Sequence, residues 1–201
     1  MTRTGDGTTA TTTGYPSRPG ATERILSVVL VLASIALIAY KFLLTTRLNV
    51  NWDEFLYLSN VHALARGELK LIFQGSYAHL FQWLADRPGD EMDQIAAARA
   101  VMVSMLAVAA LLLWRLGRHW LNGLPLASSL FVYLSLIPVQ MHGGSFRADS
   151  ILVPLLLAAL VLLVTGDRSM RRDIAAGILL GASFAVTIKV VLFAPMVAAV
   201  I

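Results

Sequence analysis

With 201 residues, 57% of them hydrophobic and 14% charged, the chain is far more apolar than a soluble domain, where about half the residues are apolar and about a quarter charged. This composition points to an all-α, polytopic integral membrane protein with room for about five or six spans and one sizeable loop, because each crossing takes about 20 apolar residues. The absence of cysteine excludes disulfides, thiolate ligands and cysteine nucleophiles. The formal charge of +4 does not signal nucleic acid, since the arginines are spread among short loops instead of gathered on one face.

Residues 1–24 are rich in Thr, Gly and Pro with scattered Arg, too polar to offset the entropy of ordering, and read as a disordered cytoplasmic tail. The apolar run 25–44 is long enough to span a membrane and lacks a small-residue cleavage site, so it reads as a retained first helix with Lys41 snorkelling outward near its end. Further spans are expected at about 95–114, 124–141, 151–165 and from 174 onward, the last interrupted by Lys189 and Pro195. The apolar stretch stops at Ile201 with no hydrophilic end, which suits either a chain ending inside a span or an incomplete membrane domain over 25–201.

Basic residues favour the cytoplasmic side. Arg18 and Arg24 in the tail, Arg115 and Arg118, and Arg168, Arg171 and Arg172 all fall on that side if the amino terminus is inside. The loop 45–94 and the short connection 142–149 then face outward, although the former also holds Arg47, Arg66, Lys70 and Arg87. Within it, Asn51 and Glu54 have capping-box spacing, and Phe55, Leu58, Val61, Leu64 and Ala65 mark an apolar helix face ending at Gly67. Tyr77, Leu80, Phe81 and Leu84, beside Trp83, repeat helical spacing. Both segments read as helices lying along the outer interface.

This topology brings separated charges to one side. Asp53 and Glu54 follow the first span outward, Arg99 opens the second, and Arg147 and Asp149 occupy the next outward connection. Lys189 lies about 15 residues into an outward-running span, a rise of about 22 Å at about 1.5 Å per residue. Cations that hold a phosphate leaving group, with a carboxylate that removes a proton from the incoming nucleophile, make a set suited to group transfer from a lipid phosphate. Ionisable residues at membrane depth carry a functional or paired role by default. Each has a plainer reading: Asp53 and Glu54 as a helix cap, Arg147 with Asp149 as a surface ion pair, Lys189 as a snorkelling lysine and Arg99 as a headgroup contact. His62, His79 and His142 lack ligand spacing and read as loop or interfacial residues. A divalent metal held by carboxylates stays open.

The pattern resembles the GT-C superfamily of polyprenyl-phosphate-dependent membrane glycosyltransferases, which includes protein mannosyltransferases and aminoarabinose transferases of lipid A. The resemblance rests on Trp52-Asp53-Glu54-Phe55-x-Tyr57 after a first span, Ala98-Arg99 entering the second, Arg147-Ala-Asp149 before a later one, and Gly177-x-x-x-Gly181-x-x-Phe184-x-x-Thr187-Ile-Lys189. It implies that Asp53 is the catalytic base for attack on the anomeric carbon, with Glu54 as its supporting or metal-linked neighbour. It implies further that Arg99, Arg147, Asp149 and Lys189 bind substrate, Lys189 being the residue at the lipid phosphate. The donor is then a polyprenyl-phosphate sugar, the acceptor a lipid, glycan or protein, and the location the plasma (inner) membrane. A Lys-Pro-Pro element found in many aminoarabinose-transferase-like members is replaced by Gln74-Gly-Ser-Tyr77. The alternative is a truncated, non-catalytic paralogue that binds polyprenyl lipid or a membrane partner. A transporter is disfavoured, because the charges lie near the outer ends of the spans and internal symmetry is lacking.

Overall fold

A computed structural model describes residues 20–47, 49–69, 76–167 and 169–198; the expectations placed on Arg18, Lys70, Gln74, Arg168 and most of the tail lie outside them. All regular structure among the described residues is helical. Helix α1 spans Ala21–Leu44 and α4 spans Glu91–Gly117. These two are long and apolar enough to cross a membrane, at about 36 and 40 Å by the ordinary helical rise. On α1, Ile25, Val28, Leu32 and Ile35 are exposed. Such an apolar face is a liability in water and unremarkable in lipid.

The expected span 124–141 is two helices, α5 (Gly123–Ser135) and α6 (Ile137–His142). Pro138 explains the break, because its ring cannot follow a helical turn carrying the carbonyl four residues earlier. That carbonyl, on Leu134, accepts instead from the Gln140 side-chain amide. Helix α7 is Asp149–Val164 and α8 is Met170–Val186. α8 does not continue through Lys189: Thr187 is extended, and a 3-10 segment, Ile188–Phe193, leads into the short α9 (Ala194–Ala198). α1 packs on α5, α4 on α7, and α7 on α8.

The loop after α1 folds into α2 (Trp52–Ala65), α3 (Ser76–Leu80) and a 3-10 turn, Gln82–Leu84. The capping box opens α2: Glu54 Oε2 accepts from the Asn51 N–H at 3.0 Å, and Asn51 Oδ1 faces the Asp53 N–H at 3.5 Å. Gly67, at φ 71°, closes it in a left-handed turn, with Glu68 N–H donating to Ala63 and Gly67 N–H to Leu64. The apolar faces of these pieces are covered by protein. Leu58, Val61, Tyr77, Phe81 and Leu84 join Ile95, Ala98, Met102, Phe146, Ile151 and Val186 in one core. Trp52, Leu56, Leu80 and Trp83 remain exposed, and Ala65, expected on the inner face, is exposed too. The core ties the end of α8 and the starts of α4 and α7 to the loop that follows α1, so these elements meet at one end of the helical stack.

Candidate functional site

Two sets of charges converge at this end, and their environments differ. Glu54 and Arg99 form a buried pair, 1% and 6% exposed at their side chains. Arg99 Nε donates to Glu54 Oε1 at 2.8 Å and a terminal nitrogen to Oε2 at 2.6 Å. The guanidinium also donates to the carbonyls of Thr45 and Asn49, at 3.1 and 3.0 Å. Glu54 accepts further from the backbone N–H groups of Asn51 and Phe146, at 3.0 and 2.8 Å. Burial alone pushes its carboxyl pKa up, but the Arg99 hydrogen bonds and the two N–H groups outweigh it and hold the pKa below its ordinary value.

The Phe146 N–H fixes more than a charge. Its ring stands 4.9 Å from that of Phe81 and 6.0 Å from that of Tyr57, centre to centre. Held at backbone and ring, Phe146 sets the position of the next residue, Arg147. Tyr77 belongs to the same aromatic group; Asn60 donates to its hydroxyl at 2.7 Å. Burial drives the Tyr77 pKa up to about 12.

The second set is an open line. Asp53 meets Arg147 at 3.1 Å, Arg147 lies 3.9 Å from Asp149, and Lys189 Nζ contacts both Asp149 oxygens at 2.8 and 2.9 Å. Side-chain exposure is 40% for Asp53, 38% for Asp149 and 54% for Lys189. Arg147 is more enclosed, and its Nε is buried with no hydrogen-bond partner among the described residues. Beside the line opens a cavity of about 360 Å³. Leu106, Tyr133, Val139 and Val153 give it apolar walls, and Arg147 with Asp149 a charged edge.

The structure therefore brings Asp53, Arg147, Asp149 and Lys189 together and sets Glu54 and Arg99 apart as a separate buried pair. Sequence reasoning missed that Glu54 and Arg99 saturate one another, and it missed Phe146. The aromatic residue directly before Arg147 was the available signal. His62 pairs with Gln94 at 2.8 Å, whereas His142 lines the cavity. Among the described residues no three His, Asp or Glu side chains gather as a metal site. At the other end of the stack Arg115, Arg118 and His119 surround Thr165.

Fold and site together define an all-helical protein with two helices long enough to cross a membrane and a line of alternating charge at one end of the stack. Comparison with protein-family models, with curated proteins and with solved structures finds no match.

Proposed function

We propose that this chain is the membrane module of a GT-C-type glycosyltransferase, which moves a sugar from a polyprenyl-phosphate donor to an acceptor on the outward side of the inner membrane. In this reading the helical stack is polytopic, the amino terminus is cytoplasmic, and the end that carries the charge line faces outward. The observation that carries it is the line from Asp53 through Arg147 and Asp149 to Lys189, set at the edge of an apolar cavity. An apolar cavity suits isoprenoid methylenes, and the cations at its edge suit the phosphate that joins them to the sugar.

Asp53 is the base. Its exposed carboxylate takes the proton from the acceptor hydroxyl or amine, the acceptor atom attacks the anomeric carbon, and the bond from that carbon to the phosphate oxygen breaks. Polyprenyl phosphate leaves with the bonding electrons, and Arg147 and Lys189 offset the charge that develops on it. Asp149 orients Lys189 through its two contacts. Glu54 and Arg99 are positioning residues in this scheme: their donors and acceptors are engaged with one another and with backbone, and they act through Phe146 on Arg147.

Membranes holding the full reading frame, incubated with a panel of labelled polyprenyl-phosphate sugars, test the proposal. One donor should lose its label to an acceptor. Asp53→Asn should abolish that transfer and leave the amount of protein in the membrane unchanged. Full turnover in the Asn variant would remove Asp53 from the chemistry, and no transfer from any donor would favour a non-catalytic lipid-binding protein.

A further inference from the structure

Lys41 stands in the last turn of α1, where a lysine ordinarily extends along the helix to reach water. It does not do so here: Lys41 is 6% exposed and turned into the protein. It lines a second cavity of about 400 Å³, together with Asn49, Asn51, Gln140, His142 and Ser145. His142 lines both cavities, so α6 and the turn after it separate this space from the one beside the charge line.

An ammonium that reaches water only through a cavity, with no carboxylate beside it, attracts an anion into that cavity. Among the described residues Lys41 has neither an ion pair nor a hydrogen bond from its side chain. The one carboxylate in the cavity wall, Glu54, is bound to Arg99, so that pair cancels and Lys41 alone carries net charge. The carboxamides of Asn49 and Asn51 add neutral donor capacity.

We infer that this cavity is an anion site for the phosphodiester of an anionic membrane phospholipid, with the Lys41 ammonium as its charge partner. A single uncompensated positive charge matches the single negative charge of a phosphodiester. A zwitterionic headgroup fits less well, because its ammonium would find no free carboxylate in the wall. Location argues for a lipid source: the cavity opens at the end of a helix long and apolar enough to cross a membrane, and headgroups would lie at that end if the helix spans a bilayer. Tyr40, Phe42 and Leu43 are exposed on that same turn and offer surface for an acyl chain. This site does not depend on the transfer reaction.

The test is thermal unfolding of the purified full chain in neutral detergent, titrated with short-chain phosphatidylglycerol. Binding to the folded state alone raises the melting temperature as ligand accumulates. Wild type should gain several degrees, Lys41→Arg should keep the gain, and Lys41→Met should bind about tenfold more weakly or worse. Diacylglycerol with the same tails, phosphatidylcholine and inorganic phosphate serve as separate arms, and each should give little or no shift. An equal gain with diacylglycerol or phosphatidylcholine, or an undiminished gain in Lys41→Met, overturns the inference. A gain with inorganic phosphate as large as with phosphatidylglycerol overturns the lipid source. Should Lys41→Met fail to fold, native mass spectrometry of wild type from mixed vesicles decides: preferential retention of phosphatidylglycerol over phosphatidylcholine supports the site, and equal or no retention refutes it.

Discussion

Asp53 and Glu54 are adjacent carboxylates in the first turn of one helix, and the fold gives them opposite surroundings. Successive helical residues point about 100° apart, so when Glu54 turns inward under Arg99, Asp53 turns toward the charged edge of the cavity. Glu54 has 1% of its side chain exposed and each oxygen engaged by the guanidinium and a backbone N–H. Asp53 has 40% exposed and a single arginine contact. A saturated buried carboxylate supports structure, because a proton or substrate must displace good hydrogen bonds to reach it. A half-open one is available to an incoming group. Adjacent acids in one helical turn thus need not share a task, and burial sorts them.

Removing one partner of the buried pair should produce the largest effect. Arg99→Met leaves the Glu54 carboxylate buried without its main donor, at a cost of about 3–5 kcal/mol. Unfolding in mixed detergent with increasing denaturant should show that loss. Pairing Arg99→Met with Glu54→Met should recover much of it, since replacing both partners with apolar groups of similar size is often close to neutral. A double variant no better than the single would mean that the carbonyls of Thr45 and Asn49, and not Glu54, depend on Arg99.

Acid should attack the same pair next. The folded Glu54 pKa is depressed relative to its ordinary value of 4.5. Its contribution to stability is therefore complete above about that pH and disappears as pH falls through the lower, folded value. Melting temperature should be level from neutral pH down to about 5 and decline below about 4.5. The Met–Met double variant should lose part of that acid decline, whereas Asp53→Asn should leave it largely in place. An identical acid limb in wild type and the double variant would assign the decline to other carboxylates.

The readable part of this architecture is local or periodic. Apolar runs announced α1 and α4, the Asn51 to Glu54 spacing announced the start of α2, and Gly67 announced its end. Counting rise along the helices also brought Asp53, Asp149 and Lys189 to one end. What stayed hidden depends on contacts between distant segments. Arg99 and Glu54 are 45 residues apart and Phe146 is 92 from Glu54, so no window along the chain contains the bridge. Lys41 likewise looks like a lysine at a helix end until α6, with Gln140, and the turn after it, with Ser145, are brought to the same cavity. The break near Pro138 was signalled by the proline, yet the apolar run on both sides disguised two helices as one.

The smallest effect sharpens the contrast most directly. Asp149 and Lys189 touch at 2.8 Å, close to the Glu54–Arg99 distance, but with 38% and 54% of their side chains exposed. Water and ions reach this pair, so a double-mutant cycle through Asp149→Asn and Lys189→Met should return a coupling of only about 0.2–1 kcal/mol. At 1 M salt, where screening acts over about 3 Å, that coupling should fade. The corresponding cycle through Glu54 and Arg99 should survive the same salt, because both side chains are almost fully buried and directly hydrogen-bonded to one another. Lys189→Met should nevertheless reduce sugar transfer well beyond what its stability change accounts for, since its task in the proposed reaction is to meet phosphate and not to hold the helices. Equal salt sensitivity in the two cycles would show that solvent exposure is not what separates them, and the division between a structural pair and a working line would have to be redrawn.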